Sequence, residues 1–510
     1  MKTDKSRYAH SGPGQFVMNH WPVLAWFMLY LLIAGALQLY TSYPPDFDTA
    51  YHVAVGRLMS QYGILHSFPW TPFSWLADNY TDDKILFHLL FVPLANLNWV
   101  TAVRIVGTIA GATILLTLYL ILRSERVRYA GLWALVPLIG SEYFIIRFVV
   151  VRPHLLSISV ALVFLWAAVR GRFKILAVVS AIYPWLYIAF WQLAVLLLIA
   201  AETARFLAGR KLQWKPAVIV AAGIAIGVLI HPNAENLFAY NWLVMTEVLF
   251  KGGWLAREGF DLGKELAPYP LIGWLKGLSI SVLLIFAAAI YAWRNRREEV
   301  VPLAFTLAAL GFCILTIKSA RFAEYFVPFS AAAMALSSRW IKWRFLAPAV
   351  VAVSLILTVV VGRPTMVYLS KIQEDIPPAL ASKFRQFIPK GSQVFTTGWE
   401  TTGTLMLTLP ERYFIVALDP TLFYMKDKEL YRLWYRLVHE APPETVTTIR
   451  QTFGARYVIV DWARDKSKFN NRLFSTRGVR LLYSTPFWMV FDLGPPAVPK
   501  ESSGPEKKSG

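Results

Sequence analysis

A single cysteine, Cys313, stands among the 510 residues. No disulfide can close within the chain, and zinc-ligand spacing is missing. Charge is scarce as well. Asp, Glu, Lys and Arg make up 16% of the residues, against about a quarter in soluble domains. Acidic residues are the scarcer sign, 31 against 51 basic, which leaves a net charge of +20. No nucleotide-phosphate loop and no Gly-rich dinucleotide fingerprint occurs. A cytosolic enzyme of ATP or nucleotide sugars is therefore unsupported. No segment repeats internally.

Apolar sequence fills the space these absences leave. Hydrophobic residues are 56% of the chain, and the mean hydropathy is +0.47. Runs near 20 residues recur, the length that crosses a bilayer. The first, 21–39, is too long and aromatic for a signal peptide and has no small-residue cleavage site after it. The pattern predicts about eleven membrane helices, near 20–42, 99–122, 129–147, 154–170, 174–188, 190–207, 216–231, 271–293, 300–317, 322–338 and 345–362. Basic clusters fall on alternate loops, around Lys2, Arg126, Arg172, Arg210, Arg296 and Arg339. By the positive-inside rule those loops and residues 1–19 are cytoplasmic, so the basic surplus signals membrane lipids and not nucleic acid. The loops 43–98 and 231–271, and everything after Gly362, then lie outside.

From 363 to 493 the pattern changes. Short β-rich runs appear ("QVFTT", "RYFIVAL", "RYVIVDW", "VRLLY", "FWMVFDL"), with helical stretches such as "KDKELYRLWYRLVHE" between them. This alternation predicts a small extracytoplasmic α/β domain with a mainly parallel sheet. The Pro-, Ser- and Lys-rich residues 494–510 read as a disordered tail.

The stretch "YPPDFDTAYHVAVGRLMSQYG" follows the first apolar run. Asp48 and His52, four residues apart, share a helix face. The run predicts an amphipathic helix along the outer surface, ended by Gly63. Asp46, just after Pro45, suits either a helix cap or a functional carboxylate. On the same side lie Arg147, Arg152 and His154 in "RFVVVRPHLL", His231 in "IHPNAEN", and Lys318 and Arg321 in "IKSARFAEYF". Charges at membrane depth are costly. A shared anionic ligand explains the set better than snorkelling to headgroups, and Arg suits phosphate through its fork of donors. Trp70, Trp75 and Tyr80 suit stacking on sugar rings, and equally an aromatic belt at the interface. Asp82 and Asp83 read first as a solvated loop end and helix cap. As hard oxygen ligands they also keep Mg²⁺ or Mn²⁺ open.

At these residues the chain resembles the GT-C superfamily of integral membrane glycosyltransferases. Asp48, His52 and Gly56 match an Asp-x-x-x-His-x-x-x-Gly pattern of bacterial members. "GILHSFPWTPFSW" matches its continuation, "RPHLLSISVAL" the start of the fourth helix, and "TTGWETTGTLMLTLPERYFIVALDP" the opening of the external domain. The Trp-Trp-Asp of oligosaccharyltransferases is replaced by Gly398, Trp399 and Glu400. The Asp-Glu pair of protein O-mannosyltransferases is absent, since Phe47 separates Asp46 from Asp48. The resemblance implies a membrane all-α GT-C-like fold followed by the external domain. It implies transfer of a sugar from a polyprenyl phosphate or diphosphate carrier to a glycan, lipid or protein acceptor, with inversion and no required metal. Asp48 is then the base, with Asp46 second and His52 orienting. Arg147, Arg152, His154, His231, Lys318 and Arg321 face the carrier phosphate, and Trp399 and Glu400 face the acceptor. Competing classes are a transporter or flippase for a lipid-linked saccharide, which tends to show repeats and midplane sites, and a non-catalytic membrane scaffold.

Overall fold

A computed structural model of the chain describes residues 13–250, 267–372, 376–417, 419–461 and 466–494. Most of the expected cytoplasmic segment 1–19, the tail after Gly494 and residues 251–266 of the expected external loop lie outside these. The described chain is mostly helical and forms two compact units. One holds the described residues of 13–49, 82–241 and 267–372, the other those of 50–81, 242–250 and 376–494. The external loop 43–98 is thus divided. Its middle, 50–81, belongs with the C-terminal unit, where the sequence reading keeps the whole loop with the helices.

The chain begins with α1 (Pro13–Tyr40) and α2 (Phe47–Tyr62), then α3 (Trp99–Ser124), α4 (Ala130–Ile139), α5 (Glu142–Val149), α6 (His154–Arg170) and α7 (Phe173–Ile182). There follow α8 (Phe190–Leu207), α9 (Trp214–Leu229), α10 (Ala234–Leu243), α11 (Leu271–Gly277), α12 (Ser279–Arg294), α13 (Val301–Lys318), α14 (Ala323–Ser337) and α15 (Leu346–Ser370). Among the described residues, five helices are long and apolar enough to cross a membrane, and up to eight spans result if each of three bent pairs counts as one. The expected single helix 129–147 is broken by 90° between α4 and α5. Gly140 caps the first, and Ser141 starts the second by accepting the Phe144 N–H at 3.1 Å. The expected helix 271–293 bends by 78° between α11 and α12. Ser141 joins the two breaks: its hydroxyl donates to the Gly277 carbonyl at 2.6 Å, which satisfies an end-of-helix acceptor away from water. Between α9 and α10 the turn is 117°, at Pro232, which lacks the N–H that would continue the ladder.

The core of this unit is α14, buried along all 15 of its residues. Ala331, Ala332, Ala333 and Ala335 let neighbouring backbones approach closely, the usual device where lipid offers no hydrophobic drive between helices. At one end of the unit the charged loops meet. Arg170 Nε donates to Glu125 at 2.8 Å and Nη2 to Glu299 at 2.9 Å, and Arg339 lies 3.8 Å from both acids. Four of the alternate loops singled out by their basic clusters thus share one end, held by ion pairs as well as by any lipid.

The second unit carries a five-stranded sheet of order β2-β1-β3-β5-β4. The strands are β1 (Gln393–Thr396), β2 (Tyr413–Phe414), β3 (Tyr457–Asp461), β4 (Arg480–Ser484) and β5 (Trp488–Asp492). β1 is parallel to β2 and β3, whereas β5 is antiparallel to β3 and β4. The sheet is therefore mixed, not mainly parallel. The three-residue turn between β4 and β5 is too short for a crossover and permits only an antiparallel hairpin. All five residues of β3 are buried, and the apolar run "YVIV" fits that central position.

At the end of β5, Asp492 accepts hydrogen bonds from Arg456 at 2.8 and 2.9 Å, from Arg480 at 2.7 Å and from the Gly494 N–H at 2.9 Å. The Arg456 bonds, against the opposing effect of burial, hold its carboxyl well below the usual carboxylate range. The folded state thus binds this proton less readily than the unfolded chain, whose Asp titrates near about 4. The resulting stability is present above that pH and is lost as pH falls below it. The melting temperature of the solubilised chain, followed by circular dichroism, should fall between about pH 5 and pH 2. Asp492→Asn should lower it at neutral pH and flatten that part of the profile.

Candidate functional site

The double proline ends α1 and delivers Asp46 to the start of α2. There Asp46 accepts the Asp48 and Thr49 N–H groups at 3.0 and 3.1 Å and the Thr49 hydroxyl at 2.6 Å. That is a helix cap. The same carboxylate also receives both arms of Arg152, Nε at 2.9 Å and Nη2 closer still. Arg152 sits in the short break before α6, where Pro153 disfavours helix in the preceding residue. Its third nitrogen, Nη1, lies 2.9 Å from Asp48 Oδ2. One guanidinium therefore bridges two carboxylates. Asp46 is 6% exposed and Asp48 29%. Burial pushes the Asp46 carboxyl up, but Arg152, Thr49 and the Asp48 N–H outweigh it and hold it below its usual value. Asp46 is a fixed, ionised clamp, and Asp48 is the more accessible acid. α2 ends as expected, Gly63 taking φ +77°. The helix does not lie on a surface, however: from Ala50 to Met59 only Arg57 is not fully buried. With so few charged side chains along it, it lacks the polar face that an interfacial helix requires. His52 is buried too.

The expected ring of cations is only partly one. Arg147 is fully engaged by a carboxylate that the sequence reading passed over: its Nε and Nη2 lie 3.0 and 2.7 Å from Glu324 Oε2, both side chains buried. The signal was in view, an acid opening the apolar run of α14. The Tyr187 hydroxyl donates to Glu324 Oε1 at 3.4 Å, and Arg321 lies over the Tyr187 ring at 5.8 Å. His154 Nε2 is 2.8 Å from the Arg147 carbonyl. Arg147, His154 and Arg321 thus gather around Glu324 and Tyr187. Lys318 ends α13 exposed. His231 is tied elsewhere: the Asn233 N–H donates to its Nδ1 at 3.0 Å, so Nε2 carries the proton and donates to the Asp82 carbonyl at 3.2 Å. It braces a loop.

Asp82 and Asp83 are buried rather than solvated. Asp82 pairs with His88 at 2.7 Å and accepts the Lys84 N–H at 3.1 Å, and Asp83 pairs with the Lys84 ammonium at 2.6 Å. Burial raises the Asp82 carboxyl, but His88 and Lys84 bring it below its usual range. Each acid faces its own basic partner, a poor match to one hard cation that needs several converging oxygens. Among the described residues no three His, Cys, Asp or Glu side chains gather as a metal-ligand set.

In the second unit, residues 66–80 are woven into the sheet. The Trp70 carbonyl accepts the Phe414 N–H at 2.8 Å on the outer edge of β2. The Lys426 ammonium donates to the Pro72 carbonyl at 2.7 Å and pairs with Asp78 at 2.9 Å. Phe73 packs against Phe423 and Phe453. Tyr80 is buried, stacked on Phe68 at 5.4 Å and 6°, so its ring is closed to a sugar. Trp70 and Trp75 stay half-buried, as do Trp399 and Glu400 beyond β1. Gly398 has no room for a side chain, since an added Cβ would sit 2.4 Å from Asp461 Oδ2.

No family model matches the chain, and no curated protein does. Solved structures do. The arabinofuranosyltransferase AftD from Mycobacteria aligns over 92% of this chain at a TM-score of 0.58 and 13% identity. This chain spans 40% of that protein's length. ArnT from Cupriavidus metallidurans aligns over 94% of this chain and 98% of its own in the apo state, with TM-score 0.45 and 13% identity. Its undecaprenyl phosphate complex gives 93%, 98%, 0.46 and 12%. The chain shares its helical fold with that arabinofuranosyltransferase structure.

Proposed function

We propose that this chain is a membrane glycosyltransferase that moves a sugar from a polyprenyl-phosphate or diphosphate carrier to an acceptor on the outer side of the membrane. The observation that carries the reading is the bridge Asp46–Arg152–Asp48. Arg152 and the capped Asp46 fix the geometry, and the more exposed Asp48 is left to meet an acceptor. The acceptor oxygen attacks the anomeric carbon from the face opposite the phosphate. The bond from that carbon to the phosphate oxygen breaks with inversion, and the acceptor's proton passes to Asp48. Developing charge on the leaving phosphate is met by Arg321 and Lys318, with Arg152 nearest the acids, the electrostatic contribution that is often largest. A site at the start of α2 and before α6, at the end of the unit opposite the loop ion pairs, suits chemistry at a lipid–water boundary. The shared fold with an arabinofuranosyltransferase supports the class.

The topology belongs to the same proposal. Eight spans from the long helices and bent pairs become eleven when α6, α7 with its extension to Trp185, and α14 also cross. The N-terminus is then cytoplasmic, and the sheet unit lies outside. Two experiments test the two halves. Purified protein should consume a polyprenyl-phosphate sugar only when acceptor is added, and a reporter fused after Gly510 should be active only outside the cytoplasm. Donor carried across vesicles without being consumed would sink the enzyme reading in favour of a flippase.

A further inference from the structure

The second unit holds an open cavity of about 580 Å³ between the loop after α2 and the turns that flank β1 and β2. Its wall includes Tyr62, His66 and Trp70 on one side and Gly391, Glu411 and Tyr413 on the other. Tyr62 is 64% exposed and Tyr413 37%. The Tyr62 and Trp70 rings lie 5.9 Å apart at 50°, and Trp70 is backed by Phe68 at 5.2 Å. Large aromatic faces are normally buried, so two exposed beside a half-buried third around one hollow call for an occupant.

The frame is rigid. The Trp70 carbonyl is bonded to Phe414 N–H at 2.8 Å, the Gly391 N–H to the Glu411 carbonyl at 2.7 Å and the Tyr413 N–H to the Ser392 carbonyl at 3.0 Å. Both walls are thus stitched to one sheet edge. Gly391 takes φ +75°, and nothing lies within 4 Å of where its Cβ would be, which leaves the rim open.

The chemistry selects the occupant. Flat rings offer faces for the apolar side of a sugar ring, while His66, Ser67 and the Glu411 carboxylate offer hydrogen bonds to hydroxyls. No ion is selected by charge, because the Glu411 carboxylate on the wall is already met by Lys390 at 2.8 Å and by Arg412 at 3.7 Å. A purely apolar partner would leave the polar groups of the wall unpaired. We infer that this hollow is a saccharide-binding groove that takes a neutral oligosaccharide, with Tyr62 and Trp70 as the stacking platform. That the saccharide is the acceptor rests on the transferase reading; that the groove binds saccharide does not.

The test uses the full chain in nanodiscs with no lipid-linked sugar present. Maltohexaose, cellohexaose and linear α1→5 arabinohexaose are titrated and followed by saturation-transfer NMR. At least one should bind. Tyr62→Ala and Trp70→Ala should each weaken it by about tenfold, and Trp70→Phe by less, since a ring face remains. Tyr62 is exposed, so its removal should leave folding intact. Failure of all three sugars to bind, or equal binding by every variant, overturns the groove. So does broadening of Tyr62 signals by a nitroxide phospholipid when no sugar binds, which would assign the face to the bilayer. Sugar binding by a chain that never consumes donor would uphold the groove and remove the transferase. Donor consumption without sugar binding would do the reverse.

Discussion

Asp48→Asn should lower sugar transfer by about 10²–10⁴-fold, the usual contribution of a positioned base, while the protein folds and binds carrier lipid as before. The two acids at the start of α2 do different work. Asp46 accepts the cap bonds and the Arg152 fork, so helix and clamp survive the loss of Asp48. An amide of the same shape still accepts a hydrogen bond from Arg152 Nη1 but takes no proton near neutral pH. Asp46→Asn is the contrast. It weakens the cap and leaves a largely buried guanidinium with half its charge balance, so stability should fall by about 1–3 kcal/mol. Donor consumption and the apparent melting temperature, measured on both variants, separate the roles. A dead Asp46→Asn beside an active Asp48→Asn would exchange the base between them. Two active single variants and an active double variant would remove both acids from the chemistry.

The second large effect lies at Arg147. Breaking a buried ion pair by removing one partner costs about 3–5 kcal/mol, because the other charge stays behind. Arg147→Met should therefore lower the apparent melting temperature of the solubilised protein by many degrees, and Glu324→Gln should lower it too. The double variant Arg147→Met with Glu324→Leu should recover most of the loss, since apolar replacements of similar volume are often neutral. This pattern identifies Arg147 as a strut of the helical unit. If Arg147→Met instead left melting unchanged and weakened carrier binding alone, Arg147 would be the phosphate ligand that the sequence suggests.

How each element was read follows from the range of the forces behind it. The breaks at Gly140–Ser141 and at Pro232 rest on local chemistry, yet hydropathy smooths over a two-residue interruption, so α4 and α5 read as one span. The β-rich runs of the tail coincide with the observed strands, although "RYFIVAL" shortens to the two residues of β2. Glu324 was missed for a different reason. Its partner Arg147 lies 177 positions away, and no window along the chain joins them. A row of basic residues therefore looked like one anion site, when two of its members already hold carboxylates.

The sequence by itself determined that this is a membrane-embedded helical chain with a β-containing C-terminal part. It also determined that a helix runs from the acids after Pro45 to Gly63, and that carboxylates stand where the first apolar run ends. These follow from length, apolar period, caps and turn residues, which act within a few positions. Only the tertiary structure decided that Arg152 clamps Asp46 and Asp48 together, that Arg147 belongs to Glu324, that Tyr80 is core and Tyr62 open, and that residues 50–81 join the C-terminal unit. Those depend on which distant surfaces meet, and a charge or an aromatic ring takes its role from the partner that folding brings to it.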